Sequence, residues 1–109
     1  MKINNKEFDF DIAEVENLEK YESALNNLQE KTANQPEFAT NIERIKRSCE
    51  IVNEFFDDIL GAGASVEIFD GKLNFRTAYV VYEEFIANCT KEFEGIANTF
   101  SKYSPNRVK

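Results

Sequence analysis

The carboxylates of one short stretch come closest to forming a chemical site in this sequence. Glu50, Glu54, Asp57 and Asp58 follow one another at helical spacing, so most of them would share one face of a helix. Oxygen ligands arranged in this way can hold Mg²⁺ or Ca²⁺. The alternative, which we favour, is a solvated polar face opposite an apolar strip of Phe and Ile.

Other catalytic groups are missing from the sequence. The chain has no histidine, which removes the usual acid or base at neutral pH and the commonest metal ligand. No phosphate-binding loop is present, because the pair Gly61 and Gly63 follows a predicted helix and not a strand. Cys49 and Cys89 stand where apolar residues are due, so we predict buried thiols. We therefore expect a protein that is not an enzyme and uses no metal or other cofactor.

Length and composition restrict the protein class. A chain of 109 residues should form one domain with one core, to which ten Phe contribute. The formal net charge of -7 disfavours nucleic acids and anionic membranes as partners, because these need clustered Lys and Arg. No apolar stretch approaches the roughly 20 residues of a membrane span, and no secretory leader is visible. We expect a soluble protein of a reducing cytoplasm.

Charge is distributed unevenly along the chain. Seven acidic residues in the range 7–22 face one base, Lys20, whereas Arg44, Lys46 and Arg47 form a basic cluster. Both groups lie on predicted helices. We interpret each of them as a solvated helix face.

The chain is predicted to open with a small β-hairpin over residues 1–10. Residues 2–4 and 7–10 alternate between apolar and polar side chains on either side of Asn5, and Asn tolerates the positive φ of a tight turn. A lone hairpin is marginally stable, so Phe8 and Phe10 should dock on the rest of the domain.

Three longer segments show the apolar spacing of amphipathic helices. The second carries an apolar strip from Phe38 to Ile59, around which we expect the rest of the domain to pack. The fold class is therefore mainly α, a three-helix domain with a small N-terminal hairpin and a long C-terminal helix. The single domain covers residues 1–109, with helices at 12–31, 37–60 and 75–103 and a flexible tail at 104–109.

The helix starts are predicted from capping rules. Asp11, with Glu14 three residues later, should form a capping box for the first helix. Pro36 or Glu37 should open the second helix, since Pro is tolerated in a first turn. Asn74 should cap the last helix.

Two apolar segments are candidates for contact with a partner. Val66, Ile68 and Phe69 lie in a predicted loop before the last helix, where they either enter the core, the interpretation we favour, or face a partner. The last helix would be roughly 43 Å long, against a radius of gyration of about 13 Å for a compact chain. It should therefore bend near Gly95 or project towards another molecule. The candidate partner-binding residues are Val66, Ile68, Phe69, Phe100 and Tyr103.

Five short motifs carry a resemblance to a known group of proteins. They are Ile3-Asn-Asn-Lys-Glu-Phe8, Leu18-Glu-Lys-Tyr21, Phe55-Phe-Asp-Asp-Ile-Leu-Gly61, Phe69-Asp-Gly-Lys72 and Tyr82-Glu-Glu-Phe85. Together they resemble a family of small uncharacterised proteins from the tail-gene modules of phages and prophages of Gram-positive bacteria. The resemblance implies a protein similar to tail assembly chaperones, which bind the tape-measure or tail-tube protein in the cytoplasm of the bacterial host before assembly.

From this resemblance, the acidity and the long last helix, we expect a non-enzymatic tail assembly chaperone that also forms homo-oligomers. A structural tail completion or connector protein is the first alternative. An acidic inhibitor that imitates nucleic acid through the carboxylates of the second helix is another. A metal-dependent hydrolase at the same carboxylates ranks last.

Overall fold

The computed structural model describes residues 1–103, and the predicted tail at 104–109 lies outside the described residues. The described residues form a two-stranded hairpin and four helices. This confirms the mainly α fold class with a small N-terminal hairpin and a long C-terminal helix. The elements are β1 (Lys2–Ile3), β2 (Lys6–Glu7), α1 (Val15–Ala33), α2 (Asn41–Leu60), α3 (Ala64–Phe69) and α4 (Phe75–Tyr103).

The hairpin turns at two left-handed asparagines. β1 and β2 are antiparallel, with Ile3 opposite Lys6, and Asn4 and Asn5 have φ values of 52° and 66°. Asparagine tolerates this conformation better than most residues with a side chain, and the turn matches the twist of the strands. β2 begins one residue earlier than predicted and ends at Glu7. The amide of Phe8 still donates to the carbonyl oxygen of Met1 over 2.9 Å, and the residues after Phe8 leave the hairpin.

The hairpin is held on the end of α3. The side-chain amide of Asn4 donates a hydrogen bond to the carbonyl oxygen of Ile68 over 2.7 Å. Lys6 Nζ donates to the same oxygen over 3.2 Å and to Asp70 Oδ1 over 3.0 Å. Carbonyl groups in the last turn of a helix have no partner within it, so the hairpin supplies the missing donors.

The first helix begins at Val15 and not at residue 12, and the predicted capping box is wrong. Glu14 occupies the cap position, but its side chain makes no capping hydrogen bond. Asp11 Oδ1 instead accepts a hydrogen bond from the amide of Ala13 over 3.0 Å. The aspartate therefore stabilises a turn ahead of the helix. An Asp side chain can accept a hydrogen bond from the backbone amide two residues later, and here it does so in place of capping the helix.

The second helix begins at Asn41, later than predicted from Pro36. Thr40 is its cap, since the amide of Glu43 donates to Thr40 Oγ1 over 3.1 Å. The Glu43 carboxylate in turn accepts from the amide of Ala39 over 3.0 Å. These two hydrogen bonds resemble a capping box and together are a stronger start signal than a first-turn proline.

The cap of the last helix is as predicted. The amide of Thr77 donates to Asn74 Oδ1 over 3.1 Å. From there α4 continues for 29 residues as one helix that passes through Gly95.

Between α2 and α4, a short helix replaces the predicted loop. Gly61 and Gly63, with φ values of 107° and 90°, turn the chain at the end of α2, a conformation that side chains disfavour. The side chain of Asp57, near the end of α2, then caps the first turn of α3. Its carboxylate accepts hydrogen bonds from the amide of Ser65 over 2.8 Å and from the Ser65 hydroxyl over 3.1 Å.

Phe85 lies at the centre of the aromatic core. Its ring centroid lies 5.7 Å from that of Phe10, 6.0 Å from Tyr21, 5.9 Å from Phe55 and 5.3 Å from Phe56. The core therefore joins the segment after the hairpin with α1, α2 and α4. None of the helices in residues 1–103 combines the length and the apolar character needed to cross a membrane.

Candidate functional site

The carboxylates of α2 have separate partners and do not converge. Glu54 accepts hydrogen bonds from Lys31 over 2.8 Å and from Arg47 over 3.2 Å. Burial by itself raises the pKa of Glu54, but the hydrogen bonds and charges of Lys31 and Arg47 outweigh it and hold this pKa below its ordinary value. Glu54 is thus part of a contact between α1 and α2.

The other acids of this face also act singly. Asp57 caps α3, and Asp58 is exposed. Glu50 Oε1 lies 3.6 Å from Arg47 Nη1. Within residues 1–103, no three side chains of His, Cys, Asp or Glu are grouped closely enough to hold a metal ion. The helical spacing therefore placed these residues on neighbouring faces, while their contacts serve the fold.

Both cysteines are buried in the core, as predicted. Cys49 is 1% exposed and Cys89 is 0% exposed, and no disulfide joins them. Burial raises the pKa of both thiols, that of Cys89 to about 12, with smaller contributions from Glu50 and Glu92. A cysteine nucleophile needs an accessible thiolate, so these thiols are suited to packing.

The predicted partner-binding residues divide between the core and the surface. Ile68 and Phe69 are 0% and 7% exposed, so these two side chains belong to the core. Val66 and Phe100 are 62% and 72% exposed. Tyr103 ends α4, and its side chain lies outside the described part of the chain.

The apolar strip of α4 continues past the edge of its own core. Phe93 still packs on the core, with its ring 6.1 Å from that of Tyr21. Beyond it, Ile96 is half-buried and Phe100 is exposed, and residues 95–101 carry no charge. We call Ile96 and Phe100 the terminal strip. The Cα radius of gyration, 16.6 Å, exceeds the about 13 Å of a compact chain, consistent with an elongated molecule.

A second exposed apolar surface lies at the start of α2. Ile42 and Ile45 belong to the strip expected in the core, yet they are 77% and 45% exposed, and the strip is buried only from Cys49 onward. We call these two residues, with Lys46 one helical turn after Ile42, the α2 patch. Its sequence signal is a basic residue next to isoleucines, which predicts a solvated helix face equally well.

Comparison with protein-family models adds one finding. The model of DUF6673, a family of unknown function, matches residues 4–109. The chain belongs to this family. Comparisons with curated proteins and with solved structures found no match.

The DUF6673 match contains both exposed apolar surfaces. Ile42 and Ile45, at the start of α2, and Ile96 and Phe100, at the end of α4, all lie within residues 4–109. These surfaces are therefore parts of the DUF6673 region itself.

Proposed function

We propose that this chain is a non-enzymatic assembly protein of a phage or prophage tail, a chaperone that binds the tape-measure or tail-tube protein before the tail is built. The five motifs quoted above support the relation to phage tails. The terminal strip is the observation that best supports the proposed activity, because it is an apolar surface at the end of a helix that extends beyond the core.

The spacing of this strip suits a helical partner. Phe93, Ile96 and Phe100 follow one another at steps of three and four, which is the seam of a helix pair. A partner helix laid along residues 95–101 would continue the packing that Phe93 begins inside the domain. An apolar helix face placed against such a seam is a common mode of peptide recognition.

The charge of the rest of the molecule supports the same role. Charged residues make up 30% of the chain and the formal net charge is -7, whereas the terminal strip lies in an uncharged segment. A chaperone for an aggregation-prone partner needs apolar contact at one place and charge for solubility elsewhere. Val66, which is 62% exposed on α3, offers a smaller apolar contact.

The test is co-expression with the tape-measure protein or the tail-tube protein of the same gene module. We expect the chain to raise the soluble fraction of one of them and to co-purify with it, and the double variant I96S/F100S to lose both effects. V80S is the matched control, because Val80 is 53% exposed on the same helix but lies outside the strip. Unchanged solubility together with no co-purification would refute the proposal.

A structural tail protein is the closest alternative, and it would use the same surface. Mass spectrometry of purified particles separates the two: a completion or connector protein stays in the particle, whereas a chaperone is absent from it. The nucleic-acid mimic is less favoured, since Glu54 and Asp57 are engaged with Lys31, Arg47 and Ser65.

A further inference from the structure

The α2 patch combines uncovered apolar side chains with unpaired positive charge. Ile42 and Ile45 are 77% and 45% exposed. Lys46 is exposed and forms no ion pair with any described residue, unlike Arg47, which contacts Glu54. It follows Ile42 by one helical turn, so a cation borders the apolar strip. In a chain with a net charge of -7, this surface fits an acidic partner.

A matching surface lies on α1 of the same chain. Val15, Glu19 and Glu22 follow one another at steps of four and three, so they share one outward face of α1. Val15 is 70% exposed, and neither glutamate forms an ion pair within residues 1–103. This face, which we call the α1 strip, offers an apolar residue followed by two acids.

The two surfaces lie at opposite ends of the α1–α2 pair. Lys31, near the end of α1, contacts Glu54, whereas Ala24, farther back, lines the same cleft as Asp58. Positions therefore fall along α1 as they rise along α2, and the helices are antiparallel. The α1 strip lies near the end of α2, and the α2 patch lies near the end of α1. Within one chain the two surfaces do not meet.

We propose that the α2 patch of one copy binds the α1 strip of a second copy, so that the protein associates with itself head to tail. Ile42 and Ile45 would cover Val15, and Lys46 would face Glu19 and Glu22. Two different surfaces are used, so the contact is heterologous and repeats along a row of copies or closes into a ring.

The contact is small, so it is weak and sensitive to salt. Exposed ion pairs are individually weak, and the apolar residues supply the remainder. Interfaces well below about 1,200 Å² belong to transient complexes. Added salt screens the exposed charges and should shift the protein towards the monomer.

Sedimentation velocity of the purified chain over a concentration series tests the contact. At low salt the wild type should show a sedimentation coefficient that rises with concentration. K46E and E19K/E22K should each reduce the association constant by about tenfold. An equimolar mixture of the two should associate again, because each then presents the charge that the other lacks.

The controls reverse equal charge elsewhere. K72E matches the first variant and E83K/E84K the second, and all three control residues are exposed. Both controls should associate as the wild type does, and I42S/I45S should not. A monomer at every concentration would overturn the proposal, as would controls that fail equally or a mixture that stays monomeric. Loss of association in I96S/F100S with retention in K46E would overturn it as well.

The test is independent of the proposed function. It uses the purified chain without any phage protein, and the variants expected to lose self-association leave the terminal strip unchanged. A failed tape-measure test therefore leaves the self-association result intact, and the converse also holds.

Discussion

Asp57, near the end of α2, accepts hydrogen bonds from both the amide and the hydroxyl of Ser65, in the first turn of α3, over 2.8 and 3.1 Å. Ser65 is 5% exposed, so its hydroxyl is buried. The Asp57 carboxylate, which belongs to the preceding helix, thus caps α3. A helix of only six residues is not stable from helix propensity alone.

Replacing Asp57 should loosen α3 and destabilise the whole domain. We expect D57A to lower the free energy of unfolding by about 1 to 3 kcal/mol, because the buried Ser65 hydroxyl loses its acceptor. Urea denaturation followed by circular dichroism measures this. D58A, at the exposed neighbour, is the control and should change stability little. Equal losses in the two variants would contradict the capping role.

The ion pairs of Glu54 should make part of the stability depend on acid pH. The pKa of Glu54 is lowered in the folded protein, so its contribution is present above the ordinary value of 4.5 and is lost as pH falls through the folded value. A side chain 41% exposed is screened by solvent, so E54Q should cost less than about 1 kcal/mol at pH 7. The difference between E54Q and the wild type should shrink below pH 4.5. A difference that is the same at pH 7 and pH 3 would count against this assignment.

Tyr21 should make the stability of the domain fall as pH rises in the alkaline range. Burial raises its pKa from 10.0 to about 12, and the neighbouring Cys89 and Tyr82 add to this. The unfolded chain therefore loses the proton first, and stability falls as pH rises from 10 towards 12, by up to about 1.4 kcal/mol per pH unit. Y21F should show a shallower decline, measured as urea midpoints across this range. Parallel curves for Y21F and the wild type would show that another group is responsible.

Two phenylalanines of α4 should respond very differently to truncation. F85A should cost about 3 to 5 kcal/mol, because Phe85 is 2% exposed and touches four other rings of the core. F100A removes a side chain that is 72% exposed and should leave stability within about 0.5 kcal/mol of the wild type. Thermal melting compares them. A large loss in F100A would mean that Phe100 packs within its own domain.

The sequence was sufficient to predict the elements that are stabilised by residues close together along the chain. The asparagine pair at Asn4 and Asn5 predicted the turn, and the cap at Asn74 with apolar spacing predicted α4. The start of α2 differs from the prediction because Thr40 caps the helix while the Glu43 carboxylate accepts from the amide of Ala39, and these two bonds outweigh Pro36. Both start signals are present in the sequence, but the sequence alone does not rank them.

The short helix α3 could not be predicted in this way, because distant residues stabilise it. Asp57 holds its first turn, and Asn4 and Lys6 hold the carbonyl group of Ile68. Periodicity likewise identified the apolar strip of α2 but not where its neighbours stop covering it. Ile42 and Ile45 therefore looked like core residues until the packing was known.

The bonds from Asn4 and Lys6 to Ile68 connect residues 64 and 62 positions apart along the chain. During synthesis, Asn4 and Lys6 therefore cannot form these bonds until Ile68, more than 60 residues later, has left the ribosome. Phe10 packs on Phe85, which is made later still, so this core contact also forms only after α4 has begun to emerge.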